Sequence, residues 1–256
     1  MDGGSFRFRA RIAGAHLVTS LFVVGLAAAL VFGLWYPAGL AELSGGANLF
    51  MLLATIDAIL GPTLTAIVAE RSKPRRELIR DIAIIGAVQL AALVYGLSVI
   101  AQARPVAVVW EIDLFRVVTA GQIDAAELQA APTADLRRLP WTGPLQLSVA
   151  KPTDAAEQLR TIELALNGVP LSALPRHWRP RADAQAQIDR ASRPLDELLL
   201  RLPDQRARVV AIAKQAGLSL ASLRWAPIEG RAGFWAALIP AGGDQIIGYV
   251  QHDPGN

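Results

Sequence analysis

The sequence predicts a membrane protein in two parts: three N-terminal transmembrane α-helices, followed by an α+β domain with an antiparallel sheet. Of the 256 residues, 53% are apolar and only 18% are charged, whereas roughly a quarter are charged in an ordinary soluble protein. The shortage of charge is confined to residues 1–103, which hold 8 Lys/Arg and 6 Asp/Glu, against 17 and 16 in residues 104–256. We therefore assign residues 1–103 to the membrane and residues 104–256 to a water-soluble domain.

Three apolar windows in the first part are long enough to cross a bilayer, which takes about 20 residues per helix. The first carries no charge apart from that of His16 when it is protonated, the second carries one charge, Asp57, and the third carries none. A cleaved signal peptide is the alternative for the first window, because three arginines precede it. Its apolar run is longer than a signal peptide needs, which favours an anchor. The predicted helices are about residues 12–35, 49–69 and 82–103.

The positions of lysine and arginine predict how these helices are oriented. Three arginines precede the first helix, the loop at residues 36–48 has no basic residue, and the second loop has five within about ten positions. Basic loops stay on the cytoplasmic side of a membrane. We therefore expect the second loop in the cytoplasm and residues 104–256 on the opposite side. Trp35 and Tyr36 close the first helix and are predicted to anchor it at the membrane–water interface.

A carboxylate lies near the middle of the second helix, where it costs roughly 2.5–3.5 kcal/mol on insertion scales. Such a group should face protein or water. Gly61 lies one turn from Asp57 on the same face, and Pro62 leaves the carbonyl of Ala58 without its helical donor. Gln89 lies near the midpoint of the third helix.

Three interpretations of this polar centre stay open. Asp57 could hydrogen-bond to Gln89 and fasten the three helices together. The face of Asp57, Gly61 and Pro62 could instead receive the membrane helix of a partner. An ion pathway is the third, although one carboxylate in three helices is little to build it from. Small residues also recur at every fourth position of the first helix, a spacing that suits close helix packing: Gly25, Ala29 and Gly33.

The second part has strand patterns at both ends and helical patterns between them. Alternating or short apolar runs predict the strands, and N-capping aspartates predict the helices. We expect this domain to fold without the rest of the chain. The strands are predicted at about 106–112, 115–119, 222–228, 233–239 and 245–250, and the helices after Asp124, Asp154 and Asp204 and over 182–202, interrupted at Pro194.

Composition disfavours most enzyme classes. The chain has no cysteine, so it has no disulfide scaffold and no thiolate metal site. Its three histidines are far apart and lack metal-ligand spacing, and no phosphate-binding loop or nucleophile motif occurs. The net charge of +3 leaves no basic face for nucleic acid. We therefore expect no catalytic role, no cofactor, no metal and no nucleic-acid partner.

One segment has a high density of cationic and aromatic groups: Arg176, His177, Trp178 and Arg179. A solvated loop is one interpretation. The other is contact with a partner protein or with anionic lipid headgroups.

These features together resemble the TfpX/TfpZ family of type IV pilin accessory proteins. The resemblance is specific over about residues 10–120 and diffuse beyond them. It rests on Trp35-Tyr36-Pro37, on Asp57 with Gly61-Pro62, on the basic second loop, on Tyr95-Gly96, on Arg104-Pro105-Val106 and on Asp113-Leu114-Phe115.

The resemblance implies a non-enzymatic protein of the bacterial inner membrane with a periplasmic domain, which binds its cognate type IV pilin and assists pilin stability, assembly or surface presentation. The apolar N-terminal helix of the pilin would then dock at Asp57, Gly61, Pro62 and Gln89. Membrane lipids are a second expected contact, and the oligomeric state stays open. The alternative function is a membrane-anchored periplasmic receptor or sensor subunit. The chain is not itself a pilin, because the fifth residue after Gly4 is Arg9 rather than glutamate.

Overall fold

The structure, a computed structural model, describes residues 3–37, 39–70, 72–243 and 245–252. The chain forms two compact units. The first comprises Met1–Leu34 and Ala47–Ala101, and the second comprises Trp35–Gly46 and Gln102–Asn256. The second unit therefore includes a short segment that the sequence did not associate with it.

Three long helices are apolar enough to cross a membrane: α1, α3 and α4. The predicted helices are confirmed, and the last begins several residues earlier than predicted because its charged first turns are helical as well. A π-helical turn at Val31–Trp35 extends α1, and a short helix, α2, lies in the loop that follows. The bounds are α1 Gly3–Leu30, α2 Leu40–Leu43, α3 Gly46–Val68 and α4 Arg75–Ala103.

The second unit is an α/β domain built on one sheet of eight strands. Five strands were predicted and are confirmed in position. The strands are β1 Pro105–Glu111, β2 Leu114–Thr119, β3 Leu145–Val149, β4 Trp178–Pro180, β5 Arg193–Pro194, β6 Leu223–Gly230, β7 Gly233–Pro240 and β8 Gly248–Gln251. The helices are α5 Ala125–Gln129, α6 Ala155–Leu166, α7 Gln185–Ala191, α8 Leu195–Arg201 and α9 Arg206–Gln215.

Asp124 and Asp154 cap α5 and α6 as predicted, because their carboxylates accept main-chain N–H bonds of the first turn. Asp204 does not cap α9, since it lies inside a 3₁₀ turn that precedes the helix. Pro194 separates α7 from α8, and the two residues of β5 pair with β6 at that point.

The sheet is mixed, so the prediction of an antiparallel sheet is wrong. Strand order is β4-β3-β1-β2-β6-β7-β8, with β5 beside β6. Strands β1 and β3 are parallel, and so are β2 and β6. Neighbouring strands in sequence do pair antiparallel at both ends of the domain, but β3 and β6 each join a strand of the β1–β2 hairpin in parallel. Long connections containing α5 to α9 return the chain in the same direction, as parallel pairing requires.

Both faces of the sheet are covered. On one face, Val108 and Trp110 of β1 join a cluster with Trp235 of β7, while Ala107 and Val109 point to the opposite face. Helices α8 and α9 cover the β6–β8 part of that opposite face. Strand β1 is therefore buried on both sides, not half-buried as its alternation suggested.

The loop between α1 and α3 completes the core of the second unit. Leu40 and Leu43 of α2 are 2% and 0% exposed and belong to the cluster around Trp110. The carbonyl of Leu43 accepts a bond of 3.0 Å from the amide of Ala232, and a Cβ on Gly230 would lie 2.6 Å from that carbonyl oxygen. A fragment of residues 104–256 would lack these two core leucines, and its independent folding stays a prediction.

Helix α6 carries its apolar stripe on the outside. Leu159, Ile162 and Leu166 are 59%, 57% and 84% exposed. The opposite side of the helix faces the domain through Glu157, whose carboxylate lies 3.1 Å from Nε2 of His177. Helix α6 therefore contacts the domain through a polar side chain, and its apolar stripe stays exposed.

Candidate functional site

A chain of hydrogen bonds links the three long helices of the first unit. Nε2 of Gln89 donates to Oδ1 of Asp57 at 3.0 Å, and Oε1 of Gln89 lies 2.7 Å from Nε2 of His16. Nδ1 of His16 lies 2.7 Å from Oγ1 of Thr65, which is fully buried. Because an amide oxygen only accepts, the hydrogen of His16 belongs on Nε2, and Nδ1 accepts from the Thr65 hydroxyl.

Gly61 allows this network to form. A Cβ at Gly61 would lie 2.2 Å from Nε2 of Gln89, so a larger residue would push the Gln89 side chain away. Helix α3 continues through Pro62. The sequence left open whether Asp57 bonds to Gln89, and the structure contains this bond. On the face of Asp57 and Gly61, which the sequence suggested for docking, Gln89 of the chain's own α4 contacts both residues, and Asp57 also lines an open cavity.

An open groove lies instead between α1 and α4, next to His16. Two cavities of about 130 and 390 Å³ share His16, Thr19 and Gly86 as lining residues. Nothing lies within 4 Å of a Cβ placed on Gly86. The groove therefore combines a small residue with side chains that can hydrogen-bond, the two features that favour association of helices in lipid.

The sequence missed His16 and Thr65 as parts of this site. Both were visible as polar residues in apolar windows, but nothing in the spacing shows that they meet across two helices. The small-residue stripe of the first helix was predicted to allow close helix packing, but the structure shows no such packing among the described residues. Gly25 and Gly33 have nothing within 4 Å of a built Cβ, so this stripe packs against no other helix among the described residues.

Trp35 and Tyr36, predicted as interface anchors, are instead packed inside the second unit. They are 8% and 2% exposed, and the Trp35 ring lies 6.5 Å from that of Trp141. Burial raises the pKa of the Tyr36 hydroxyl to about 12, an effect that the positive charges of Arg104 and Arg231 only partly oppose. Tyr36 is therefore a neutral phenol at any physiological pH.

The basic and aromatic run is mostly internal. Arg176 forms a two-pronged bond with Glu127, at 2.7 Å for each prong, and His177 faces Glu157. Trp178 is fully buried and donates its indole N–H to the carbonyl of Ser172 at 2.8 Å. Arg179 is partly exposed and lines a cavity. The described residues contain no group of three or more His, Asp or Glu that could hold a metal ion.

Comparison with known proteins identifies the family. The family described as "Fimbrial assembly protein FimB" matches residues 4–45. A fimbrial assembly protein of Dichelobacter nodosus, serogroup I, is 35% identical over 242 residues, which is 93% of both chains. This chain belongs to the fimbrial assembly protein family.

Other members agree with this assignment. The serogroup E1 fimbrial assembly protein of the same organism is 34% identical over 243 residues, again 93% of both chains. The serogroups C1 and C2 protein is 41% identical over 131 residues, 51% of this chain and its own full length. No solved structure matches the chain. The match over residues 4–45 spans α1 and the loop with α2, which carries the leucines that complete the domain core in this fimbrial assembly protein.

Proposed function

We propose that this fimbrial assembly protein is a non-enzymatic accessory protein of the bacterial inner membrane that binds its cognate type IV pilin before the pilus is assembled. The observation that carries the proposal is the identity of 35% over 93% of the chain to a protein named for fimbrial assembly. The three apolar helices followed by a folded α/β domain suit a protein that meets a membrane-held substrate from both the lipid and the aqueous side.

The groove between α1 and α4 is the docking site that we propose for the apolar helix of the pilin. Within lipid, helices associate through close packing and polar contacts rather than through hydrophobicity. Gly86 allows close approach, and the Thr19 hydroxyl, which donates to the carbonyl of Ala15, can still accept a hydrogen bond beside it. The groove also lies toward the basic N-terminal end of α1, which the distribution of arginine assigns to the cytoplasmic side.

The orientation part of the proposal predicts opposite results for two reporter fusions. Alkaline phosphatase fused after residue 256 is expected to be active, and the same enzyme fused at Lys73 is expected to be inactive. The reason is the concentration of arginine and lysine in the second loop, which keeps Lys73 in the cytoplasm, where the reporter does not fold. Colony colour and enzyme assays measure both fusions. An active fusion at Lys73 would contradict the proposed topology.

Deletion of the gene is expected to lower pilin abundance or surface piliation several-fold, because unassembled pilin would lose its binding partner. Immunoblots of whole cells and of sheared pili measure the effect. The full chain supplied in trans is expected to restore piliation, and tagged protein is expected to co-purify with pilin. A photo-cross-linking residue at Thr19 is expected to capture pilin as well.

Normal piliation in a clean deletion strain would overturn the proposal. If piliation fell but pilin neither co-purified nor cross-linked, the receptor or sensor alternative would be favoured, because such a subunit acts without touching pilin.

A further inference from the structure

A cavity of about 770 Å³ lies in the second unit where two parallel strands end. Trp110 of β1 and Ser148 of β3 are register partners, and both line it. Helix α7 contributes Gln187 and Arg190 to the wall. Ligands of open α/β sheets bind outside the carboxyl ends of the strands, and binding pockets usually measure roughly 300–1,000 Å³. The cavity therefore has the position and the size of a binding site.

The lining of the cavity has an excess of positive charge. Lys151, Arg179 and Arg190 face a single carboxylate, that of Asp183. Arg179 donates to the main-chain carbonyl of Trp178 at 2.7 Å, a bond that leaves its charge uncompensated. Among the described residues, neither Lys151 nor Arg190 lies in a salt bridge. This charge selects an anionic ligand.

The cavity also has an apolar side with two unusual features. Ile112 has a φ of 63°, a left-handed conformation that β-branched residues rarely adopt, and its side chain is 61% exposed. Trp110 is 1% exposed, yet its indole N–H has no acceptor among the described residues. Both residues line the cavity, which therefore offers apolar surface beside its charged groups.

We propose that this cavity binds an acidic peptide segment of the pilin outside the membrane, with its carboxylates on Lys151 and Arg190 and an apolar side chain against Ile112. The inference rests on the proposed function for the identity of the partner. A peptide suits the site better than a free anion, because the lining offers apolar surface as well as charge over a volume far larger than one ion. The cavity is then a second binding site for the pilin, separate from the groove between α1 and α4.

Photo-cross-linking of the full chain in its native membrane tests the proposal. A photo-reactive residue at Gln187 is expected to capture pilin, detected with antibodies against pilin. The double substitution Lys151→Glu and Arg190→Glu is expected to lower the yield about tenfold, because two attractive ion pairs become repulsive. The matched control is Arg201→Glu with Arg206→Glu, two exposed arginines outside the cavity, and its yield is expected to change less than twofold.

A photo-reactive residue at Thr19 distinguishes failure of the cavity proposal from failure of the proposed function. Pilin captured from Thr19 but not from Gln187 would overturn the cavity proposal and leave the proposed function standing. An equal loss in both double variants, or capture of lipid instead of pilin at Gln187, would overturn it too. Absence of pilin at both positions would overturn both. Equal urea midpoints of tryptophan fluorescence in the two double variants show that neither has simply unfolded.

Discussion

Replacing Leu43 with alanine is expected to lower the free energy of unfolding of the second unit by about 2–5 kcal/mol. The side chain is fully buried in the cluster of Trp110, Phe115 and Trp235, and Gly230 packs directly against it. Truncation would leave a cavity that the sheet cannot close without moving β6 and β7. Because domains are stable by only about 5–15 kcal/mol in total, a large fraction of the protein would be lost to proteolysis in the cell.

Urea unfolding of the detergent-solubilised full chain measures this effect. All six tryptophans lie in the second unit, so their fluorescence reports on that unit alone. Leu166→Ala is the matched control, since this leucine is 84% exposed and its truncation is expected to change the free energy of unfolding by less than about 0.5 kcal/mol. Equal midpoints for the two variants would show that the α2 segment is not part of the folded domain.

Replacing Gln89 with leucine is expected to lower the steady-state level of the full chain several-fold. The substitution removes the donor to Asp57 and the acceptor of His16 at once, so two polar groups in apolar helices lose their partners. An unpaired carboxylate near the middle of a membrane helix costs roughly 2.5–3.5 kcal/mol. The double variant Gln89→Leu with Asp57→Leu is expected to recover part of the loss, because the group that needs the partner is gone.

Immunoblots of membranes and limited proteolysis measure these levels. They also separate a structural role of Asp57 from a role in docking. If Asp57 is structural, Asp57→Leu lowers abundance or protease resistance. If it contributes to docking, abundance stays normal and the pilin cross-link from Thr19 falls. Wild-type abundance, protease resistance and cross-linking in Gln89→Leu would refute the importance of the network.

The sequence predicted those helices and strands whose formation depends on residues close together in the chain. Hydropathy places all three long helices, and capping aspartates place α5 and α6, because both signals act over a few residues. Strands β3 and β4 gave no comparable signal. Strand β3 lies among prolines, and β4 is three residues long and ends in Pro180. Their pairing depends on a neighbouring strand, β1 for β3 and β3 for β4, rather than on their own pattern.

Periodicity also failed to show which face of a helix turns inward. The cap at Asp154 predicted α6 correctly, but the apolar stripe of the helix is exposed and the domain is contacted through Glu157, which lies in a charged cluster with Arg176, His177 and Glu127. The spacing of apolar residues shows that a helix has an apolar face, but it does not show what covers that face. The same limit applied to the polar site of the three long helices, where Asp57 and Gln89 were paired correctly while His16 and Thr65 were not recognised.

The place of α2 in the core has a consequence for how the protein is made. Leu40 and Leu43 leave the ribosome early, whereas the β6–β7 hairpin that covers them is synthesised near the end of the chain. At about 5–20 residues per second, these leucines wait on the order of ten seconds or more for their partners. In the topology proposed above, folding of the domain therefore checks membrane insertion. A chain whose first loop stayed on the wrong side would reach full length with a gap in its core, and the quality-control proteases of the cell would recognise it by that gap.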